Sequence, residues 1–263
     1  MKVYKYEGAG NSFVLLPDFD EKFPPEKLPE LAQTLCDREK SMGADGLMVL
    51  RKPQQGGDCR MLFYNNDGST AEMCGNGARC LCRYCHDHGL SDEFQAIETP
   101  AGMVTGERLG EGLYRVRLNS PTVFRRTEAY SYVELGDPGI PHAVVEADLS
   151  QSRDVLREFA RALRHSEEFP KGANVNLYEL TGENSLRLLT FERGVEDFTL
   201  ACGTGTGATV AALTLLGRIP GRGTKVTCDG GVLWVDIVKE APFPEIYLTG
   251  PAEELWSGEL PWK

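Results

Sequence analysis

The chain has 263 residues, 41% apolar and 25% charged, the balance of a folded globular protein with room for two ordinary domains. That excludes a disordered chain, a collagen-like repeat and a small disulfide scaffold, and apolar runs such as Ala208 to Leu216 fall far short of the roughly 20 residues that span a bilayer. Twenty-eight Lys and Arg against 39 Asp and Glu leave a net charge of -11, a surface that repels phosphate backbones and argues against nucleic acid as a partner.

From the start, Met1-Lys2-Val3-Tyr4-Lys5 lacks the apolar core of a signal peptide, and no lysine-rich amphipathic stretch suggests membrane docking, so a cytoplasmic protein is expected. A glycine turn opens into a short apolar strand, Phe13 to Leu16. A charged, periodic helix follows from Pro25 to Asp37, then a Gly-Ala turn and a strand, Leu47 to Leu50. Another strand, Arg60 to Tyr64, leads to a cysteine motif and a second helix from about Gly77 to His88, with Gly89 placed as its C-terminal cap. A strand pair closes the series. The series then runs again: strand Ala143 to Val145, helix Ser152 to His165, strands Val175 to Leu180 and Ser185 to Phe191. Helix Gly205 to Leu216 follows, with its cap Gly217 and a closing strand pair.

The chain is written twice. Gly10-Asn11-Ser12-Phe13 plus 129 reaches Gly139-Ile140-Pro141-His142, and Gly43-Ala44-Asp45-Gly46 plus 129 reaches Gly172-Ala173-Asn174-Val175. Cys74-Gly75-Asn76-Gly77 plus 128 reaches Cys202-Gly203-Thr204-Gly205, and the prolines of Ser120-Pro121 and Gly250-Pro251 are 130 apart. Matches in one order at a nearly fixed offset of half the length mean an internal duplication. Two homologous domains are expected, 1–122 and 123–251, with the tail 252–263 packing on the first. The class is α/β (α+β): each domain is a central helix wrapped by a curved, mostly antiparallel sheet, the two related by pseudo-twofold symmetry. The helix containing Ala208, Val210, Ala211, Ala212, Leu213 and Leu216 is apolar nearly all round, hence buried.

Eight cysteines, at 36, 59, 74, 80, 82, 85, 202 and 228, in a chain of this kind read as reduced, buried, catalytic or metal-bound rather than as staples. The run Cys80, Cys82, Cys85, His86, His88 invites a zinc reading. Residues two apart on a helix point to nearly opposite sides, so Cys80 and Cys82 diverge and no metal site is expected; small thiols on a core face fit better.

Cys74 and Cys202 differ from the rest. Each stands at a strand-to-helix junction before Gly-x-Gly. A helix N-terminus carries unpaired N–H groups and about half a positive charge, which favours a thiolate and binds anions. Two such thiols face to face across one carbon describe a two-base racemase or epimerase, with backbone donors stabilising a carboxylate that gains enolate character. Three alternatives compete. Gly203-x-Gly205-x-Gly207 lacks the Lys-Ser/Thr of a phosphate loop. Neither thiol has the Cys-x-x-Cys partner of a redox pair. The third alternative is two buried cysteines without a catalytic role. Asn65-Asn66-Asp67-Gly68 and Glu192-Arg193-Gly194 occupy the turns before the two thiols, where an acid beside an arginine can read an ammonium and a carboxylate together. His142 fits a hydrogen-bonded structural histidine or one tuning the thiols.

Phe63 to Cys80, with Asn65-Asn66-Asp67-Gly68-Ser69-Thr70-Ala71-Glu72-Met73-Cys74-Gly75-Asn76-Gly77, resembles the signature of the diaminopimelate epimerase family. Glu192-Arg193-Gly194 followed by Ala201-Cys202-Gly203-Thr204-Gly205 is similar to that family's second cysteine motif. Gly8-Ala9-Gly10-Asn11, Gly43-Ala44-Asp45-Gly46, Asn174-Val175-Asn176 and Gly250-Pro251-Ala252 match as well.

The resemblance implies a cofactor-independent epimerase interconverting LL- and meso-2,6-diaminopimelate for lysine and peptidoglycan precursors, without metal or pyridoxal phosphate, as a homodimer. It implies Cys74 and Cys202 as acid/base thiols. Gly75, Asn76, Gly203 and Thr204 donate to the reacting carboxylate; Asn11, Asn65, Asn174, Glu192 and Arg193 line the substrate site; His142 and Glu192 tune the thiols. The chain departs from the family in three places. Ser12 stands where members often have Asp, and Gly46 where some have Gln. Ile140 stands where many have an Asn that holds the distal end of the substrate. Ile140 cannot make that bond, which leaves open relaxed distal recognition, a glutamate- or proline-racemase-like activity, or an idle amino-acid-binding module.

Overall fold

The computed structural model describes residues 1–71, 74–238 and 244–261; Glu72 and Met73 of the first motif and Trp262 and Lys263 of the tail lie outside them. The chain divides into two compact units, Met1–Val116 with Gly250–Lys263, and Arg117–Thr249. Both divisions fall inside strands, a few residues ahead of the limits 122 and 251 set by the repeat.

Unit 1 begins with β1 (Lys2–Gly8), β2 (Asn11–Pro17), a 3-10 turn at Pro25–Lys27 and α1 (Leu28–Cys36). Then come β3 (Gly46–Arg51), β4 (Cys59–Asn65), the short β5 (Thr70–Ala71), α2 (Gly75–Asp87), β6 (Phe94–Thr99), β7 (Gly102–Gly110) and β8 (Leu113–Leu118). Unit 2 has β9 (Pro121–Arg126), β10 (Ser131–Leu135), β11 (Ile140–Glu146), α3 (Arg153–Arg164), β12 (Asn174–Gly182) and β13 (Ser185–Phe191). It continues with β14 (Phe198–Thr199), α4 (Gly203–Leu215), β15 (Thr224–Cys228), β16 (Gly231–Val238) and β17 (Glu245–Pro251). The last strand, β18 (Glu253–Glu259), belongs to unit 1.

Strand pairing is the same in both units. β2–β3 and β4–β6 are parallel, as are β11–β12 and β13–β15. These are the joins that contain a helix, because a parallel pair needs a long crossover. The other pairings within each unit are antiparallel. β18 closes unit 1 on β1, and β9 takes the same place in unit 2 on β10. The strand that follows each repeat thus completes the other unit.

Each unit is built around its second helix. α2 packs against β1, β2, β6, β7 and β18, and α4 against β9, β10, β11, β12 and β16. A Cβ on Gly106 of β7 would overlap Cys82 Sγ, so the missing side chain lets α2 approach the sheet closely. In α4, buried Thr206, Thr209 and Thr214 donate to carbonyls four residues earlier at 2.7–2.8 Å, which satisfies their hydroxyls inside an apolar helix. The first helices cover the outer faces. α1 buries Leu28, Leu31 and Leu35 against Val14, Leu16, Leu47 and Val49, each leucine contributing about 1.5–3 kcal/mol. α3 does the same in unit 2 with Leu156 and Ala160.

The helix expected from Pro25 to Asp37 starts as a 3-10 turn because Pro24, Pro25 and Pro29 tolerate only a first-turn position. Ser152 caps α3 by accepting from Val155 N. Gly89 and Gly217 have φ of 67° and 69°, the left-handed geometry of a helix C-cap. The cysteines of the cysteine-histidine run lie in the core, while its histidines reach the surface. Cys80, Cys82 and Cys85 are buried, with Cys85 Sγ 3.6 Å from Cys59 Sγ. His86 contacts Asp92 O, and His88 stacks on Tyr84 with ring centroids 4.0 Å apart. Among the described residues, no helix is long and apolar enough to cross a membrane.

Candidate active site in two half-sites

Both motif cysteines occupy the N-cap of a thirteen-residue helix. Cys74 is extended (φ -135°, ψ 120°) before α2, and Cys202 (φ -113°, ψ 112°) before α4. The helices start at Gly75 and Gly203, two residues earlier than the periodicity suggests. Weak helix formers continue each helix to the cysteine because the first turn is buried against the sheet.

In unit 1 the turn before Cys74 is set by its own polar side chains. Asp67 Oδ1 accepts Ser69 N at 2.8 Å and Ser69 Oγ at 2.6 Å, and these bonds hold its carboxyl below the usual range. Asn65 Nδ2 donates to Ser69 Oγ at 2.9 Å. Gly68 turns the chain with φ 86°, and Asn66 N donates to Asp45 O at 3.2 Å. Cys74 O accepts Ala78 N at 2.8 Å, and Cys74 itself is half-buried. Gly75 and Asn76 are buried in the first turn. Asn76 Nδ2 donates to Asn11 Oδ1 at 2.6 Å, and Asn11 Nδ2 donates to Asp45 Oδ2 at 3.4 Å. Asn11, Asn76 and the helix entrance therefore form one cluster, with Asn65 on the adjoining turn. A Cβ at Gly46 would overlap the ring of Phe63 on β4, so glycine is what lets that ring pack there.

In unit 2 Cys202 is 7% exposed; its Sγ accepts Gly205 N at 3.4 Å and stands 3.5 Å from Thr204 Oγ1. The turn from Glu192 to Asp197 carries Gly194 at φ 92°. Arg193 N donates to Asn174 Oδ1 at 2.8 Å, while its exposed guanidinium donates to Lys171 O at 3.1 Å. Glu192 is half-buried. Burial pushes its carboxyl up, opposed by the polar Thr199 side chain nearby. His142 is fully buried and paired in register with Asn174 on β12. Burial, and then the charge of Arg193, lowers its imidazole to about 3.

Asn174, Arg193 and His142 thus adjoin one another, as do Cys202, Gly203 and Thr204. The sequence reading passed over three side chains that hold these clusters. Asn176 is fully buried, with Nδ2 donating to Ala143 O at 3.2 Å and Oδ1 accepting from Thr190 Oγ1 at 3.0 Å. Asp45 and Arg79 flank the Asn11–Asn76 pair in unit 1. Asp45 stands in the Gly43–Gly46 repeat motif and Asn176 in the Asn174–Asn176 motif of the resemblance, so the signal was present, but a polar residue in a turn or a strand reads as surface. Among the described residues, no group of three or more His, Cys, Asp or Glu side chains is arranged to hold a metal ion.

The family model described as diaminopimelate epimerase matches residues 3–122 and 136–255, one stretch per repeat. The diaminopimelate epimerase of Methanocella arvoryzae is 35% identical over 277 residues, covering 99% of this chain and 96% of the relative. That of Aquifex aeolicus is 34% identical over 278 residues, covering 99% and 98%. Among solved structures, a phenazine biosynthesis protein from Bacillus anthracis superposes with a TM-score of 0.76 at 16% identity, covering 100% of this chain and 99% of that one. A hydroxyproline epimerase from Agrobacterium vitis with bound trans-4-hydroxy-L-proline gives 0.68 at 14% identity, covering 99% and 90%. At those identities the likeness is one of fold.

Proposed function

The chain belongs to the diaminopimelate epimerase family and is an isomerase, and we propose that it interconverts LL- and meso-2,6-diaminopimelate through two opposed thiols, Cys74 and Cys202. One observation carries the reading: the same residue type caps the same buried helix in both repeats. Duplication of a fold need not preserve a cysteine at a helix start, whereas two-base chemistry requires one on each side of the reacting carbon.

In the proposed reaction the thiolate of one cysteine removes the α-proton. The electron pair of the broken C–H bond passes toward the carboxylate, which gains enolate character. The thiol of the other cysteine delivers its proton to the opposite face, so the configuration inverts and the two sulfurs exchange protonation states. Each helix start favours the thiolate form of its cap residue. The backbone N–H groups of Gly75, Asn76, Gly203 and Thr204 belong to first turns and can donate to the carboxylate as its charge grows. Each positioned acid or base contributes on the order of 10²–10⁴ in rate.

Asn11, Asn65, Asn174, Glu192 and Arg193 are assigned to substrate binding, and Glu192 with His142 to tuning the thiols. No cofactor enters the proposed steps. A cytoplasmic homodimer supplying lysine and peptidoglycan precursors completes the reading. Its test is incubation with LL-diaminopimelate in D2O, which should yield meso product carrying deuterium at the inverted carbon. Absence of both exchange and inversion in folded protein would leave an idle binding module.

A further inference from the structure

Arg79, Asn76, Asn11 and Asp45 of unit 1 form a hydrogen-bonded line whose ends fix its middle. Arg79 lies fully buried in α2 and can only donate. Its Nη2 donates to Asn76 Oδ1 at 3.0 Å, its Nη1 to Gly75 O at 3.4 Å and its Nε to Pro251 O at 3.3 Å. At the other end an ionised Asp45 can only accept. Its Oδ2 takes Asn11 Nδ2 at 3.4 Å and Ser12 N at 2.9 Å, and its Oδ1 takes Arg38 Nη2 at 2.6 Å.

Between these ends stand two amides, each with one accepting and one donating side. With its oxygen held by Arg79, Asn76 must turn its NH2 toward Asn11. Asn11 must then give its oxygen to Asn76, at 2.6 Å, and its NH2 to Asp45. Flipping either amide would set donor against donor or oxygen against carboxylate. The second repeat cannot build this line. The positions equivalent to Asn11, Asn76 and Arg79 are Ile140, Thr204 and Gly207, and a Cβ on Gly207 would already meet Leu118 Cδ1 at 2.7 Å.

We propose that Arg79 and Asp45 are positioning residues for substrate binding: they lock the amides of Asn76 and Asn11 so that half-buried Asn11 offers its second Nδ2 hydrogen to a substrate carboxylate. The inference rests on the reading of Asn11 as a substrate residue. Locking an amide strengthens ground-state and transition-state binding alike, so its loss falls on KM.

Steady-state kinetics with LL-diaminopimelate test it. Arg79→Met and Asp45→Ala should each raise KM about tenfold, the loss of one charge-assisted hydrogen bond, with kcat within about threefold. Arg79→Lys, still only a donor, and Asp45→Asn, still an acceptor, should recover most of that loss. In an Asn11→Ala background neither change should raise KM further, because the line then leads nowhere. Unchanged KM in folded variants overturns the inference, as does a loss confined to kcat or an effect of full size in the Asn11→Ala background. Should Arg79→Met fail to fold, Asp45→Ala and its cycle with Asn11→Ala decide. Wild-type protein that does not turn over diaminopimelate would instead sink the underlying functional reading.

Discussion

Asn176 Nδ2 lies 3.2 Å from His142 Nδ1, and both side chains are completely buried. The same NH2 group faces the carbonyls of Ala143 and Asn174, at 3.2 and 3.4 Å, which can only accept. The amide is thereby oriented, His142 Nδ1 must accept, and the imidazole proton sits on Nε2. His142 is a neutral ring whose buried Nε2–H meets no acceptor among the described residues, so any influence on the nearby chemistry is not that of a cation.

That neutrality gives a pH dependence with a definite sign. Burial first, and Arg193 second, lower His142 from the ordinary 6.5 to about 3. Below pH 6.5 the unfolded chain takes up a proton that the folded chain refuses. The stability is therefore fully present above pH 6.5 and is lost as pH falls toward 3, amounting to about 2 kcal/mol at pH 5. Urea unfolding at pH 7 and pH 5 should give a difference that shrinks by about this amount in His142→Gln. Identical pH dependence in the two proteins would show that His142 is not buried neutral.

Thiol labelling separates the capping cysteines from the core. Burial pushes Cys36 and Cys80 up to about 12 and raises Cys82 as well, while the Cys59 contact and burial raise Cys85. Thiols of that kind are almost wholly protonated at neutral pH and react slowly. Brief treatment with iodoacetamide at pH 7.5 should modify Cys74 and Cys202 first, with protection by substrate. The core cysteines should follow only after unfolding. Peptide mapping that finds early modification at Cys80, Cys82 or Cys85 would contradict this.

Much of this architecture could be read from the repeat. β2 and β11, β3 and β12, α2 and α4 stand at matching offsets, and glycine caps marked both helix ends. The strands that were missed have physical reasons. β1 is buried in an irregular order at Val3, Tyr4, Tyr6 and Gly8, and β18 is exposed along nearly its whole length, so neither alternates clearly. Their pairing, and that of β9 with β10, depends on which unit each joins, which no local pattern encodes. Within the candidate site the cysteines and glycines were legible because their chemistry is tied to a helix start. Arg79 was not, because an arginine in an amphipathic helix reads as surface, and only packing reveals that it is fully buried.

Gly205 tests how closely the α4 entrance is built. An alanine there would gain helix propensity, yet its Cβ would overlap Asn176 Oδ1 and stand 3.0 Å from Thr190 Oγ1. Both atoms are held by hydrogen bonds, so the clash should dominate, costing about 1–3 kcal/mol. Gly205→Ala should lower the denaturation midpoint and turnover together. An equal or higher midpoint would mean that Asn176 moves aside freely.

Ile140 opens β11 opposite Leu135 and is half-buried. In the proposed site it leaves the distal end of the substrate one hydrogen bond short. Such a bond to a charged group is worth about 1.5–3 kcal/mol, roughly ten- to a hundredfold in binding. Ile140→Asn should lower KM for diaminopimelate by up to that factor with kcat nearly unchanged, and should do nothing for glutamate, which lacks the distal group. An unchanged diaminopimelate KM in a folded variant would mean that another residue already fills the role.

The most direct measurement follows LL-diaminopimelate in D2O with wild-type protein, Cys74→Ala and Cys202→Ala, recording α-deuterium and stereochemistry together. Wild-type protein should form deuterated meso product with no added metal or cofactor. Each single variant should lose inversion by at least about 10², because either thiol alone can serve only one face. Full inversion in either alanine variant, or inversion by wild-type protein that stops on chelation, would contradict the two-thiol account.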